Sequence, residues 1–424
     1  MVRPGRAGAV CVVVVAIVTV VSHAFLGAAG AQTATVPLPP DVTLDPPAAD
    51  VPESISRFAG AWAHGAWDGV LPHVLVVERV DATGRAQVVY ALGEAAEANV
   101  TRAYRRLTGR IVADLLMLEL REGVSVVYRW GGDSLRGTYS SSRRFYSVTL
   151  TRATLAAATA VPATVPGAVT GTTVRIPMTE PGPAGQRLTL EATLYRPAGD
   201  GPHAVVLFNH GSTGGTVPTS TTLRPSRQAR FFVERGFAVL APMRRGRGAS
   251  EGTPAESEGT CDPEVLGAGV ARAIEDVDAA MAYLRTQPWA DGERVLVAGQ
   301  SRGGLLSVAY AAERPGTVRG VINWAGGWTT DRCDEGGRGF NPATFASAGG
   351  RIRAPSLWLY AEGDRLYAAP WIRRYHEAFA QAGGVATFHL FPAFDGDGHR
   401  LVDRVETWTP AVDEFLRRLN LPSR

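Results

Sequence analysis

The chain has 424 residues, enough for two or three domains that each bury a core of their own. Its 45% hydrophobic and 20% charged residues match an ordinary globular protein. With 43 basic against 40 acidic side chains the net charge is only +3, and the arginines are dispersed, which excludes a polyanion-binding surface and with it nucleic acid as a partner.

Arg3 and Arg6 precede the apolar run AVCVVVVAIVTVV, and Ala29-Gly30-Ala31 before Gln32 satisfies the small-residue rule for cleavage. Residues 1–31 are therefore expected to be a secretory signal, and the protein to be secreted or periplasmic. An uncleaved signal would instead anchor it in a membrane, because the apolar stretch through Leu26 approaches the roughly 18 residues of a span. Cys11 lies inside the signal, without the sequence context of lipid attachment. That leaves Cys261 and Cys333, and an isolated pair in an oxidising compartment is expected to be bridged.

Residues 32–51 are rich in proline and small side chains and read as an extended linker. Over residues 52–153 the texture becomes that of short strands. HVLVVERVDATGRAQVVYALG is two β-branched runs around Asp81-Ala82-Thr83-Gly84, and further strand-like runs are separated by turns at Arg121-Glu122-Gly123 and Gly131-Gly132-Asp133. This predicts a small all-β barrel or sandwich. Its first strand, in RFAGAWAHGAWDG, resembles the Gly-x-Trp opening of lipocalin-like (calycin) barrels. Trp62 is expected to plug the core and Trp67 to make a rim contact; the functional alternative is a module that binds a cell-envelope ligand or recruits substrate. Residues 154–171, made of alanine, threonine and proline without a period, read as a linker.

From residue 172 to 424 apolar strands alternate with helices: LTLEATLYRP, HAVVLFNHG, FAVLAPMRR, a helix from about Pro263 to Thr286, RVLVAGQ, a helix after Ser301, VRGVINWAGG, PSLWLYAEGD, the helix WIRRYHEAFAQAG, ATFHLFPAF and a final amphipathic helix. The pattern predicts an α/β domain with a mostly parallel sheet covered on both faces.

Gly-x-Ser-x-Gly occurs twice here, at Gly248 to Gly252 and at Gly299 to Gly303. A nucleophilic serine needs a cramped turn between a buried strand and a helix, where glycines relieve crowding and the hydroxyl projects above the sheet. Only Ser301 has that setting, between RVLVA and GLLSVAYAAERP. Ser250 lies among loop residues and reads as a turn serine.

The ordered set FNHGSTGG, MRRGRGASEG, GQSRGG, YAEGD and GDGH, over about 250 residues, resembles an α/β-hydrolase of the dienelactone hydrolase-like and secreted esterase or peptidase type. In that family the chain order is nucleophile, acid, histidine. The resemblance implies Ser301 as nucleophile, Asp364 after a central strand as the acid, and His399 in a glycine-loosened loop as the base that swings over Ser301. Glu362 is the alternative acid, displaced by two residues, whereas His389 in a strand and His376 in a helix read as structural. Asp395 and Asp397 beside His399 read as turn residues and not as metal ligands.

The oxyanion needs two backbone N–H donors. Arg302, after the nucleophile, supplies one, and Ser212 the other, with Gly214 and Gly215 letting that loop approach. Arg244, Arg245 and Arg247 could hold a substrate carboxylate but are expected in salt bridges, and a Cys261–Cys333 bridge would tie two loops bordering the pocket.

The reading is thus an exported serine hydrolase that cleaves a small-molecule or polymer-linked carboxylic ester through a Ser-His-Asp acyl-enzyme, with no cofactor. Dienelactone hydrolases proper have a cysteine nucleophile, so the serine argues against dienelactone as substrate. The rivals are a secreted peptidase resembling prolyl oligopeptidases, whose propeller repeats this sequence lacks, and a silent scaffold whose β module binds a surface ligand.

Overall fold

The computed structural model describes residues 36–95, 100–141, 145–159, 169–181, 187–212, 219–254, 256, 259–329, 333–334, 339–394 and 396–424. The expected signal at residues 1–31 lies outside them.

The strand-rich segment closes into an antiparallel barrel. Its strands are β1 (Gly60–Trp67), β2 (Leu71–Val80), β3 (Arg85–Leu92), β4 (Ala103–Val112), β5 (Leu115–Arg121), β6 (Val124–Trp130), β7 (Ser134–Ser141) and β8 (Phe145–Ala153), in sequential order with β8 returning to pair β1. Closure removes both sheet edges, and the alternating inner face packs Trp62, Leu75, Val88, Leu116, Val126, Tyr128 and Leu150 into one core. Trp62 is the plug expected of it: fully buried, it donates from Nε1 to Phe58 O at 2.9 Å and lies under the Arg152 guanidinium, 4.3 Å from the ring centre. Trp67 is not at the rim; it is 3% exposed and faces His73, Tyr90 and Tyr128 inside the barrel.

The run VLVV in β2 is buried on both faces, which breaks the polar alternation of an open sheet. Its outer face is covered by a second cluster in which Val36 and Ala158 pack on Ala61, Val74, Val76 and Val89. Val36 belongs to the proline-rich segment expected to be an extended linker, and Ala158 to the short helix α2 (Leu155–Thr159), which follows α1 (Glu53–Ser56). Residues 36–51 are therefore laid along the barrel, where Asp45 pairs with Arg79 and Asp41 with Arg106.

The remainder forms one eight-stranded sheet from β9 (Thr172–Pro181), β10 (Arg187–Tyr195), β11 (His203–Asn209), β12 (Ala238–Pro242), β13 (Ala290–Gln300), β14 (Gly320–Trp324), β15 (Ser356–Ala361) and β16 (Ala386–Phe391). The order is β16-β15-β14-β13-β11-β12-β10-β9; β10 pairs antiparallel with both of its neighbours, β9 and β12, and the other pairs are parallel. Helices α4 (Pro263–Arg285), α5 (Arg302–Glu313), α6 (Phe340–Gly349) and α7 (Ala369–Gln381) cover one face, and α3 (Ser226–Val233) and α8 (Val405–Arg418) the other. Alternate residues of one strand serve the two layers: Val205 and Leu207 the first, Val206 and Phe208 the second. This is an α/β-hydrolase architecture preceded by a β barrel. Both lie in one compact unit, Thr33–Arg424.

Candidate active site

Ser301 stands between the carboxyl end of β13 and the first residue of α5 with φ 57° and ψ −124°, a conformation that an L residue holds only under constraint from its surroundings. The constraint is visible. Ser301 N donates to Trp324 O at 2.9 Å, and its carbonyl accepts from Gly304 N at 2.9 Å and Gly327 N at 3.2 Å. The glycines are required by contact: a Cβ on Gly299 would meet Gly303 O at 2.3 Å, and one on Gly303 would meet Asn209 O at 2.0 Å. Ser301 is 5% exposed. Ser250 has no such setting, since its hydroxyl donates to Met243 O at 2.7 Å and accepts from Glu191 N at 2.8 Å.

Asp364 follows β15 and turns its two oxygens in different directions. Oδ1 accepts from the N–H of Leu366 (2.8 Å) and Tyr367 (2.9 Å), while Oδ2 lies 2.9 Å from His399 Nδ1. The Asp364 side chain is fully buried and His399 only 9% exposed, so this pair is held out of water. A carboxylate only accepts, so the proton of the imidazole is assigned to Nδ1, leaving Nε2 as the acceptor.

His399 is not on a loosened loop. It lies in a 3-10 turn, Gly398–Asp403, anchored by Gly398 N to Gly363 O at 3.1 Å and by Asp397 Oδ1, which accepts from His399 N at 3.0 Å and Arg365 N at 3.1 Å. Asp397 is thus the cap of the turn that carries the imidazole; Asp395 lies outside the described residues. Gln300, next to the serine, donates from Nε2 to His399 O at 3.3 Å, which joins the two turns.

The other candidates are elsewhere. Glu362 is exposed and faces Arg373 at 3.8 Å. His389 stacks on Phe391 and His376 on Phe388.

Tyr367, which no sequence motif marks, packs into the candidate site. Buried to 2% exposure, it packs edge-on to His399 with ring centres 5.3 Å apart. Burial pushes its phenol well above the usual range, the charges of Asp364 and Tyr360 add to this, and Ser301, a hydrogen-bonding neighbour, offsets part of it. Only its position three residues after Asp364 could have drawn attention to it.

Arg302 begins α5, and its side-chain Nε donates to Trp328 O at 3.0 Å. Ser212 is exposed two residues beyond the buried His210, and Gly211 between them presses on the Ser301 turn, where a Cβ would stand 3.4 Å from Ser301 Cβ. Gly214 and Gly215 lie outside the described residues. Arg244 and Arg247 share the buried Glu256, and Arg245 pairs with Asp276 at 2.7 Å, so all three are in ion pairs. Cys261 and Cys333 are bonded, with Cα atoms 5.2 Å apart. The bridge joins the segment before α4 to the one after β14, whose Gly327 touches the Ser301 carbonyl.

A family model, the dienelactone hydrolase family, matches residues 190–406, which span every one of these side chains. The chain belongs to that family. Among relatives of this dienelactone hydrolase family member, a protein provisionally named carboxymethylenebutenolidase, from Methylorubrum extorquens, is 28% identical over 192 residues, 44% of this chain and 62% of that protein. The uncharacterised peptidase YtmA of Bacillus subtilis is 28% identical over 139 residues, 33% of this chain and 47% of its own length. The chain therefore spans less than two thirds of either relative. Among solved structures, the Pyrococcus furiosus esterase Pf2001 is similar at 17% identity with a TM-score of 0.44, covering 60% of this chain and 92% of that one. Family membership supports hydrolase chemistry.

Proposed function

We propose that the protein is an exported serine hydrolase that cleaves carboxylic esters, on small molecules or linked to a polymer, through a serine-bound acyl intermediate. The observation that carries this reading is the constrained Ser301 on its strand-to-helix turn, which Gln300 ties to the turn that bears the buried His399–Asp364 pair. A serine hydroxyl is a weak nucleophile until a base takes its proton, and the base must present the right nitrogen.

In the proposed reaction His399 Nε2 removes the Ser301 proton as Oγ bonds to the ester carbon. The carbonyl electron pair moves onto oxygen, where the N–H groups of Arg302 and Ser212 receive it, and the amino-terminal end of α5 adds a favourable field. Collapse breaks the bond to the leaving oxygen, which takes the proton from His399. Water then repeats the sequence on the acyl-serine. Asp364 accepts from Nδ1 throughout and favours the imidazolium while it exists.

Ser301→Ala removes one hydroxyl from a well-packed turn and is expected to abolish turnover of an activated short-chain ester while leaving the thermal midpoint in place; retained turnover would refute the assignment. The likeness to YtmA, named as a peptidase, favours amides as the second reading. A paired panel of acyl esters and aminoacyl amides separates the two, with faster ester cleavage expected.

A further inference from the structure

Three hydrogen bonds converge on the two carbonyls that lead into the proposed oxyanion loop. After β11 ends at Asn209, His210 and Gly211 are buried against the nucleophile turn. Arg244, two residues beyond β12, is 2% exposed and reaches across to them. Its Nη1 donates to His210 O at 2.7 Å and its Nη2 to Gly211 O at 3.0 Å, while Nε donates to Glu256. His210 adds a second grip on the same oxygen, donating from Nδ1 to Gly211 O at 2.6 Å, and its Nε2 accepts the Arg244 N–H at 3.1 Å. Both ring nitrogens are thereby committed to the neutral tautomer with hydrogen on Nδ1. Burial, with the Arg244 charge second, holds its pKa down at about 3, so it stays neutral at working pH.

The Gly211 carbonyl and the Ser212 N–H are opposite ends of one planar peptide, so fixing the oxygen fixes the direction of the hydrogen. We propose that Arg244 is a positioning residue of the oxyanion hole: with His210 it grips the Gly211 carbonyl and so aims the Ser212 N–H at the substrate oxygen. The proposal rests on the serine-hydrolase reading. It also accounts for the choice of arginine. Two successive carbonyls and a carboxylate are met at once by a planar fork of donors, which a single ammonium cannot match. Glu256, shared with Arg247 at 3.2 Å, holds the fork in place from behind and balances its charge. The donor is oriented before substrate arrives, which is where an oxyanion hole gains its effect.

The test compares full-length Arg244→Lys and Arg245→Lys on p-nitrophenyl acetate. Arg245 is equally buried and pairs with Asp276 and Glu275 of α4, so its variant controls for loss of an ion pair. Arg244→Lys is expected to lower kcat about 100-fold with KM within about threefold of the parent and with the apparent pKa of the kcat/KM profile unmoved. Arg245→Lys is expected to lower the thermal midpoint while keeping kcat. Equal losses of kcat in the two variants, or an unchanged kcat in Arg244→Lys, would overturn the proposal. If Arg244→Lys does not fold, Glu256→Gln serves instead: a fall in kcat of about tenfold at constant KM supports the clamp, and no change in kcat overturns it. Ser301→Ala in parallel keeps the two ideas apart. Turnover surviving in Ser301→Ala sinks the serine reading, whereas a dead Ser301→Ala beside a fully active Arg244→Lys sinks only the role of Arg244.

Discussion

Asp364 serves two partners at once: one oxygen holds the turn that bears it, through Leu366 and Tyr367, and the other holds His399. An amide in its place keeps the shape but can present a donor to Nδ1, which stabilises the wrong tautomer. Asp364→Asn is therefore expected to lower kcat by about 10⁴ near neutral pH with the fold intact. Glu362→Gln, on the exposed side of the same turn, should leave kcat unchanged, and steady-state kinetics of the two variants checks both statements. At this scale much was legible. Ser301 stood out because a buried strand, two glycines and a helix pattern surround it, and Asp364 because it ends an apolar strand. Tyr367 was not legible, since nothing in a linear sequence says that a ring three residues past a carboxylate folds back over His399. The clamp by Arg244 was equally hidden, because it needs the carboxyl ends of two different strands to be neighbours.

At the scale of elements, the parallel strands were plain as continuous apolar runs, and α4, α5, α7 and α8 as amphipathic or alanine-rich segments with clear ends. Asp262 caps α4 by accepting from Glu264 N at 2.9 Å, with Pro263 in the first turn, a start signal that can be read directly. Two of the helices that cover the large sheet carry no such signal. α6 is FNPATFASAG and buries Phe340, Asn341, Pro342, Phe345, Ala348 and Gly349 almost all round, so it shows no polar stripe to reveal a helical period. α3, at eight residues, is shorter than the window over which such a period can be recognised. Barrel and sandwich could not be separated beforehand for a similar reason. Their strands alternate alike, and only the β1–β8 pairing, with Ala61 opposite Ala153, closes the ring. The proline-rich segment at residues 36–51 misled because its composition carries no sign of the apolar outer face of β1 to β3 that it covers.

At the scale of the whole molecule, a buried ion pair links the barrel to the candidate site. Asp68, just past β1, meets Arg227 of α3 at 2.5 Å, and Arg227 donates from Nη1 to Asp403 O at 2.6 Å, the end of the turn that carries His399. Gln228 supports the same turn by donating to Val402 O at 2.7 Å. Burial pushes the Asp68 carboxyl up from 3.8 to about 6, against the pull of Arg227. The sign follows from proton uptake: a carboxyl raised by folding adds stability that is full below about pH 4 and is lost as the pH rises through about 6. The size is on the order of 3 kcal/mol at most. Asp68→Asn stays neutral at every pH, so its stability relative to the parent should rise between pH 4 and pH 7. Urea midpoints at those two values measure this, and parallel profiles would contradict it.

The central claim is that an ester passes its acyl group to Ser301. Acid quenching during steady turnover of p-nitrophenyl acetate, followed by peptide mapping, reads that transfer directly. The account predicts one acetyl group per chain, confined to the peptide that carries Ser301 and absent from Ser301→Ala. Full turnover with no acylated peptide, or an acetyl group on Ser250 in place of Ser301, would contradict it.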